Sequence, residues 1–319
     1  YRLARSIFER VETFADSVFY DASAWTVSLA YGMPDLALKG GQLPLGNQVT
    51  SVPALAGAGP VDRSPVAYLM DWSDSGAPKA LQAMQAAGIR AEAAFLPFRA
   101  QTTKGEVSFP RGSISIPVST QALGPDALHS AVTQAAREAN VPVHSALTGS
   151  AVEGIDLGSG NFRPVRAPRV LMPAGQGVSS QEVGQIWHLL DQRVGMPVTK
   201  VDVGNLGRVS WADYDVLVLM PGATQAFSET RLDELKVWLR AGGTLIAQRG
   251  AAAWAARMGL TPNIDEPGMG RPADEAEEAA EASVPRRDYA DAGAFEGPQA
   301  IGGSIWEADL DVTHPLSLI

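Results

Sequence analysis

The stretch RVLMPAGQGVSSQEVGQIWHLLDQR, residues 169–193, decides the fold. It opens on a short apolar run from Arg169 to Met172, turns through Gly175-Gln176-Gly177, and enters a segment from about Ser180 to Arg193. There Val183, Ile186, Trp187 and Leu190 recur at three- and four-residue intervals, which is one stripe of an α-helix. Ser179 or Ser180 supplies an oxygen for the amide hydrogens of the first turn. Strand, glycine turn and helix in that order open a β-α-β unit. Downstream, apolar runs at Pro197 to Val203, Tyr214 to Met220 and Thr244 to Gln248 continue the unit, with a helix from Glu229 to Arg240 before the last of them. Gly242 and Gly243 stop that helix where a left-handed residue is wanted.

Upstream the same alternation appears. Val66 to Met70 reads as a strand, Pro78 to Ala87 as a helix stopped by Gly88, and Ile89 to Leu96 and Ser113 to Pro117 as strands. A helix from Asp126 to Asn140 carries Leu128, Val132 and Ala135 on one face, and a β-branched run from Val141 to Ala146 follows it. Pro117-Val118-Ser119-Thr120-Gln121-Ala122 matches Pro221-Gly222-Ala223-Thr224-Gln225-Ala226, and the offset between them also relates Val66 to Val170. The expectation is two tandem doubly wound, flavodoxin-like parallel-sheet domains, at 64–164 and 165–319. Any ligand site then lies at the carboxyl ends of the strands.

Residues 1–63 read as a docking segment and connector. Leu3, Ile7, Val11 and Phe14 predict a helix over Arg2 to Phe19, and Pro34 to Arg63 is rich in Pro, Gly and Leu without periodicity. Between residues 262 and 303, ten carboxylates face only Arg271, Arg286 and Arg287, which predicts a solvated acidic surface loop. With 319 residues, 45% hydrophobic and 19% charged, the chain has the composition of a globular protein with room for two domains. The first residue is Tyr rather than Met, so a fragment of a longer chain is expected. A net charge of -10 argues against nucleic acid and anionic membrane surfaces as partners, because both are bound through Lys and Arg. No run approaches the roughly 20 apolar residues of a membrane span.

Chemistry is limited by what is missing. Cys is absent, which removes disulfides, thiolate nucleophiles and Cys-ligated zinc. None of His129, His144, His188 and His314 begins an H-x-x-E or H-x-x-x-H spacing, so no metal ligands are expected. Gly175-Gln176-Gly177 resembles the start of a dinucleotide fingerprint, but Ser180 holds its third position and no acidic residue clearly ends the second strand. The best-placed strand-to-helix elbow, Ala247-Gln248-Arg249-Gly250-Ala251, offers no nucleophile. No catalytic residue is therefore assigned. A binding module would use the strand-end loops, Gly175, Gln176, Gly222, Ala223, Gln248 and Arg249, with the Arg249 guanidinium meeting a carboxylate. Phe19, Tyr20, Trp25 and Tyr31 are candidate interface anchors, with burial in the chain's own core as the alternative.

Four stretches carry a resemblance: DSVFYDASAWTVSLAYGM (16–33), GIDLGSGNFRPVRAPRV (154–170), GVSSQEVGQIWHLLDQRVGMPV (177–198) and DLDVTHPL (309–316). Together they resemble the C-terminal region beyond the peptidase domain of large secreted bacterial zinc carboxypeptidases of the carboxypeptidase A type. The resemblance implies a peptide-hydrolysing parent whose zinc and H-x-x-E motif lie in an upstream peptidase domain of the same polypeptide, and not here. That domain becomes the expected partner, and the location becomes extracellular or periplasmic. The same region is similar in fold to class I glutamine amidotransferases, whose nucleophilic Cys sits on an elbow. Matching elbows through Gly250 puts that Cys at Gln248, so amidotransfer is not carried over. The chain is then expected to be a non-catalytic structural or interaction region.

Overall fold

The structure, a computed structural model, describes residues 27–31, 33, 34, 36, 48, 50 and 59–261. The helix expected over 2–19, the acidic stretch 262–303, His314 and most of the 34–63 connector lie outside the described residues. The chain divides into two units, residues 1–52 with 271–310 and residues 53–270 with 311–319. Of the first unit the structure describes one short helix, α1 (Val27–Ala30), and a few residues after it. The second unit holds both α/β lobes.

The first lobe runs β1 (Ala67–Met70), α2 (Ala77–Ala86), β2 (Ala91–Ala94), β3 (Phe98–Thr102), β4 (Gly105–Phe109), β5 (Ile114–Pro117), α3 (Pro125–Ala139), β6 (His144–Ser145), β7 (Glu153–Gly154) and β8 (Phe162–Val165). Its main sheet has the order β6-β1-β5-β2-β8, and every neighbouring pair is antiparallel. This corrects the expectation of a doubly wound parallel domain at 64–164. The units β1-α2-β2 and β5-α3-β6 interleave instead, which is the split β-α-β arrangement of ferredoxin-like folds. Parallel neighbours need a crossover of a dozen or more residues, usually helical. Between β2 and β5 the chain instead forms the β3–β4 hairpin and returns in the opposite direction, so that β5 slots between β1 and β2.

Composition conceals this reversal. Tyr68 and Met70 on one face of β1 pack with Leu81, Met84, Leu128 and Val132 of α2 and α3. Ala67 and Leu69 on the other face pack with Phe98, Phe109 and Phe162, beneath the small β4-β3-β7 sheet. The phenylalanines interlock, Phe98 stacking on Phe109 at 5.0 Å and meeting Phe162 edge-on at 5.3 Å between ring centroids. A strand covered on both faces has no polar side to alternate with, and so reads like a parallel one.

The second lobe runs β9 (Val170–Ala174), α4 (Ser180–Trp187), β10 (Val198–Asp202), β11 (Val216–Leu219), α5 (Glu229–Arg240), β12 (Thr244–Ala247) and α6 (Gly250–Arg257). Its sheet order is β10-β9-β11-β12 and every pairing is parallel. Here the parallel sheet expected from the sequence is present, with strands in the order 2-1-3-4 that a doubly wound domain uses. Leu171 and Leu217 face Leu206, Leu235 and Trp238 on one side. Val170, Met172 and Val218 face Val183, Ala223 and Ala251 on the other. The single helix expected over 180–193 is corrected: the α-helical part ends at Trp187, a π-helical segment continues from His188 to Val194, and Gly195 at φ 81° ends it.

The two lobes are thus not copies. Pro117–Ala122 follows a strand antiparallel to its neighbours, and Gln121 exchanges hydrogen bonds with the backbone of Arg90. Pro221–Ala226 follows a strand parallel to its neighbours and runs into a 3-10 turn. The shared letters reflect similar strand exits and not a shared topology.

An ion pair ties the entrances of β9 and β11. The backbone N–H, Nε and Nη2 of Arg169 donate to the Asp215 carboxylate at 2.9, 3.0 and 3.0 Å. These bonds hold the Asp215 carboxyl down from the ordinary 3.8 to about 2. A depressed carboxyl pKa contributes stability above its unfolded value, and that contribution is lost as pH falls through the folded value. Urea midpoints measured from pH 5 to pH 2 should therefore fall less steeply in Asp215→Asn than in the parent chain. The pair is exposed to solvent, so the difference should be small and should shrink in high salt.

Candidate functional site at the strand ends

The six strand-end residues chosen from the sequence fall in three turns at the carboxyl edge of the second sheet. Gly175 and Gln176 follow β9, Gly222 and Ala223 follow β11, and Gln248 and Arg249 follow β12. Their roles differ. Gly175 has φ 110°, and a Cβ on it would lie 2.5 Å from Oδ2 of Asp202. Gly222 has φ 86°, and a Cβ there would lie 1.9 Å from the Gly177 carbonyl oxygen. Both glycines let neighbouring loops approach closely, a steric requirement before any ligand is considered. Ala223 is fully buried, whereas Gln176 and Gln248 are exposed.

Asp202 is the acid that sequence patterning did not single out. It ends β10, the second strand of the unit, which is where a dinucleotide fold keeps its ribose-binding acid. Here its Oδ1 accepts the Gly204 N–H at 2.8 Å, and it caps the 3-10 helix Val203–Arg208. The signal available in the sequence was its place between a β-branched run and the Gly204-Asn205 turn. Val203 follows it and extends the apolar run, which hid the strand end.

The elbow lies one residue later than the match through Gly250 placed it. Gln248 still donates its N–H to Leu219 O at 3.1 Å, so the parallel ladder runs through residue 248. The chain turns at Arg249, which has φ 51° and ψ −125°. A side chain at positive φ outside the small left-handed basin is strained by about 1–3 kcal/mol and persists only where its surroundings hold it. Immediately afterwards Ala251 N–H reaches Gln248 O at 2.9 Å and Ala252 N–H reaches Arg249 O at 3.0 Å, starting α6. The fully buried Ala251 and nearly buried Ala255 let α6 sit close against the sheet.

The Arg249 guanidinium does not stand free. Its Nη1 pairs with Oε1 of Glu182 on α4. Ser179 caps α4 by accepting the Glu182 N–H at 3.3 Å, so the serine cap foreseen for this helix is Ser179 and not Ser180. Glu182 holds the position from which a capping-box carboxylate reaches back to its own N-cap. Instead it crosses to the elbow, and its Oε2 is buried without a hydrogen-bond partner. The reading of Arg249 as a carboxylate receptor is thus met by an internal carboxylate.

Of the histidines, His129 Nδ1 lies 3.2 Å from the Tyr68 hydroxyl, and His144 is half-buried with burial and Lys104 lowering its pKa. Neither shares an element with the elbow. Among the described residues no group of three His, Cys, Asp or Glu side chains is arranged to hold a metal ion. Among the same residues no helix is long and apolar enough to cross a membrane. Tyr31 is 77% exposed, while Phe19, Tyr20 and Trp25 lie outside the described residues. Comparison of the chain with protein-family models, curated proteins and solved structures finds no match.

Strain at residue 249 makes a signed prediction. At an ordinary position Gly is less stabilising than Ala by about 0.5–1 kcal/mol. Here Arg249→Gly should be more stable than Arg249→Ala by about 1 kcal/mol in urea denaturation, because both lose the ion pair and only the glycine relieves the backbone. The elbow position can also be located chemically, since the chain has no cysteine of its own. A thiol at the exposed start of a helix is activated toward the thiolate. Arg249→Cys should therefore react with iodoacetamide faster than Gln248→Cys at neutral pH.

Proposed function

We propose that this chain is a non-catalytic accessory region of a secreted zinc metallocarboxypeptidase that hydrolyses peptides, bracing or docking the upstream peptidase domain of the same polypeptide. The observation that carries this reading is Arg249. The second lobe has a strained strand-to-helix turn at Arg249, occupied by a guanidinium, and in an amidotransferase-like reading of the scaffold such an elbow is where an attacking thiolate would be held. A guanidinium has no lone pair for attack. Its pairing to Glu182 turns the elbow into a structural tie between α6 and α4.

The parent's identity is supported by the four sequence stretches that resemble the C-terminal region of these enzymes, and the location outside the cytoplasm comes with that resemblance. The zinc belongs, in this reading, to the upstream domain. A scaffold that keeps its fold and changes its reactive residue is suited to packing and positioning roles. Tyr31, exposed in the described part of the N-terminal segment, is available as one aromatic anchor for such an interface.

The test uses the purified chain and its parent polypeptide. The chain alone, assayed on carboxyl-terminal peptide substrates and on glutamine with added zinc, should show no turnover. Added to the separately expressed upstream domain, it should bind, and Tyr31→Ala together with Trp25→Ala should weaken that binding. Turnover by the chain alone that resists chelation would overturn the proposal, and so would failure to associate with the upstream domain.

A further inference from the structure

We propose that the groove between α4 and the edge strand β10 binds a small organic carboxylate with an apolar body. This inference stands independently of the accessory role and does not involve the elbow. The groove opens at the carboxyl end of β9 with a volume of about 190 Å3, and Gly184, Trp187 and Lys200 line it together with Ala174 and Gly175.

Gly184 is the first observation. It sits in the middle of α4, where glycine costs a helix about 1 kcal/mol relative to alanine. A Cβ at Gly184 would meet nothing within 4 Å, and its backbone is not in the left-handed region. Gly175 and Gly222 are required by their neighbours; Gly184 is required by none. What the missing side chain provides is open space in the groove.

The second observation is the cation. Lys200 projects from β10, with Nζ 3.9 Å from the centroid of the Trp187 ring, and it forms no ion pair among the described residues. The ring steadies the ammonium and offers its own apolar surface beside it. The pair thus presents a charge for a carboxylate next to a flat wall for hydrocarbon. Trp187 is also the last α-helical residue before the π-helical segment His188–Val194, a kind of distortion that recurs at functional sites.

Size narrows the ligand. The groove holds the volume of roughly six water molecules, which suits a monocarboxylate of about six to eight heavy atoms. Such a group could arrive as a free acid or as the C-terminal residue of a peptide, and the two sources are separated by the probes. Valerate and a tetrapeptide ending in valine would be titrated into the whole chain by isothermal calorimetry, with valeramide and the C-terminally amidated peptide as neutral controls.

The expected result is saturable binding of at least one acid and of neither amide. Lys200→Met, at an exposed position, should weaken that binding about ten-fold, the scale of one charge-assisted hydrogen bond. Gly184→Leu should abolish it while leaving the circular dichroism and the urea midpoint at or above those of the parent chain. Binding of valerate assigns the groove to free acids, and binding of the peptide alone assigns it to chain ends. No saturable binding of either acid, equal binding of the amides, or binding that survives Gly184→Leu would each overturn the proposal.

Discussion

Strand β9 is hydrogen-bonded on both sides, to β10 and to β11, and the geometry of the second lobe follows from that constraint. With parallel neighbours on either side, the loops leaving β9, β10 and β11 emerge at one edge and compete for the same space. Gly175 exists because Asp202 lies against it, and Gly222 because the Gly177 carbonyl does. The crowding also brings Glu182, on the helix after β9, within reach of Arg249, on the turn after β12. One ladder thus determines both the steric demands and the electrostatic pairing at the strand ends.

The elbow shows how strain and charge are linked. Residue 249 adopts a backbone conformation that side chains avoid, because the ladder continues through Gln248 while α6 must begin at Gly250. Nothing in that geometry demands arginine. The guanidinium, however, reaches a half-buried carboxylate on α4, and one of the two Glu182 oxygens gains a partner by it. Under the proposed accessory role, a turn that supports attack in an enzyme serves here as a cross-link between two helices.

The first lobe reaches a similar thickness by another route. Its antiparallel sheet has helices α2 and α3 on one face and the small β4-β3-β7 sheet on the other, so its central strand is buried on both sides. Short central strands without polar alternation serve both lobes. The difference lies in the connections: a hairpin joins β2 toward β5, whereas helices and 3-10 turns carry the chain between the strands of the second lobe.

The amino-acid sequence by itself determined the kind and approximate place of β1, α2, β2, β5, α3, β6 and the elements from β9 to β12, a serine cap at the start of α4 and the lack of any thiol chemistry, since periodicity, capping and composition are local properties; β3, β4, β7, β8 and α6 were not read from it. Tertiary structure alone decided that the first sheet is antiparallel, that the offset shared by the two Pro-to-Ala stretches relates no equivalent strands, that Arg249 and not Gln248 occupies the elbow, and that Glu182 is its partner. Strand direction and pairing depend on contacts between residues far apart in the chain, and burial on both faces erases the alternation that would have betrayed them. The exact turning residue depends on where the last ladder hydrogen bond falls, which a neighbouring strand sets and no local pattern records.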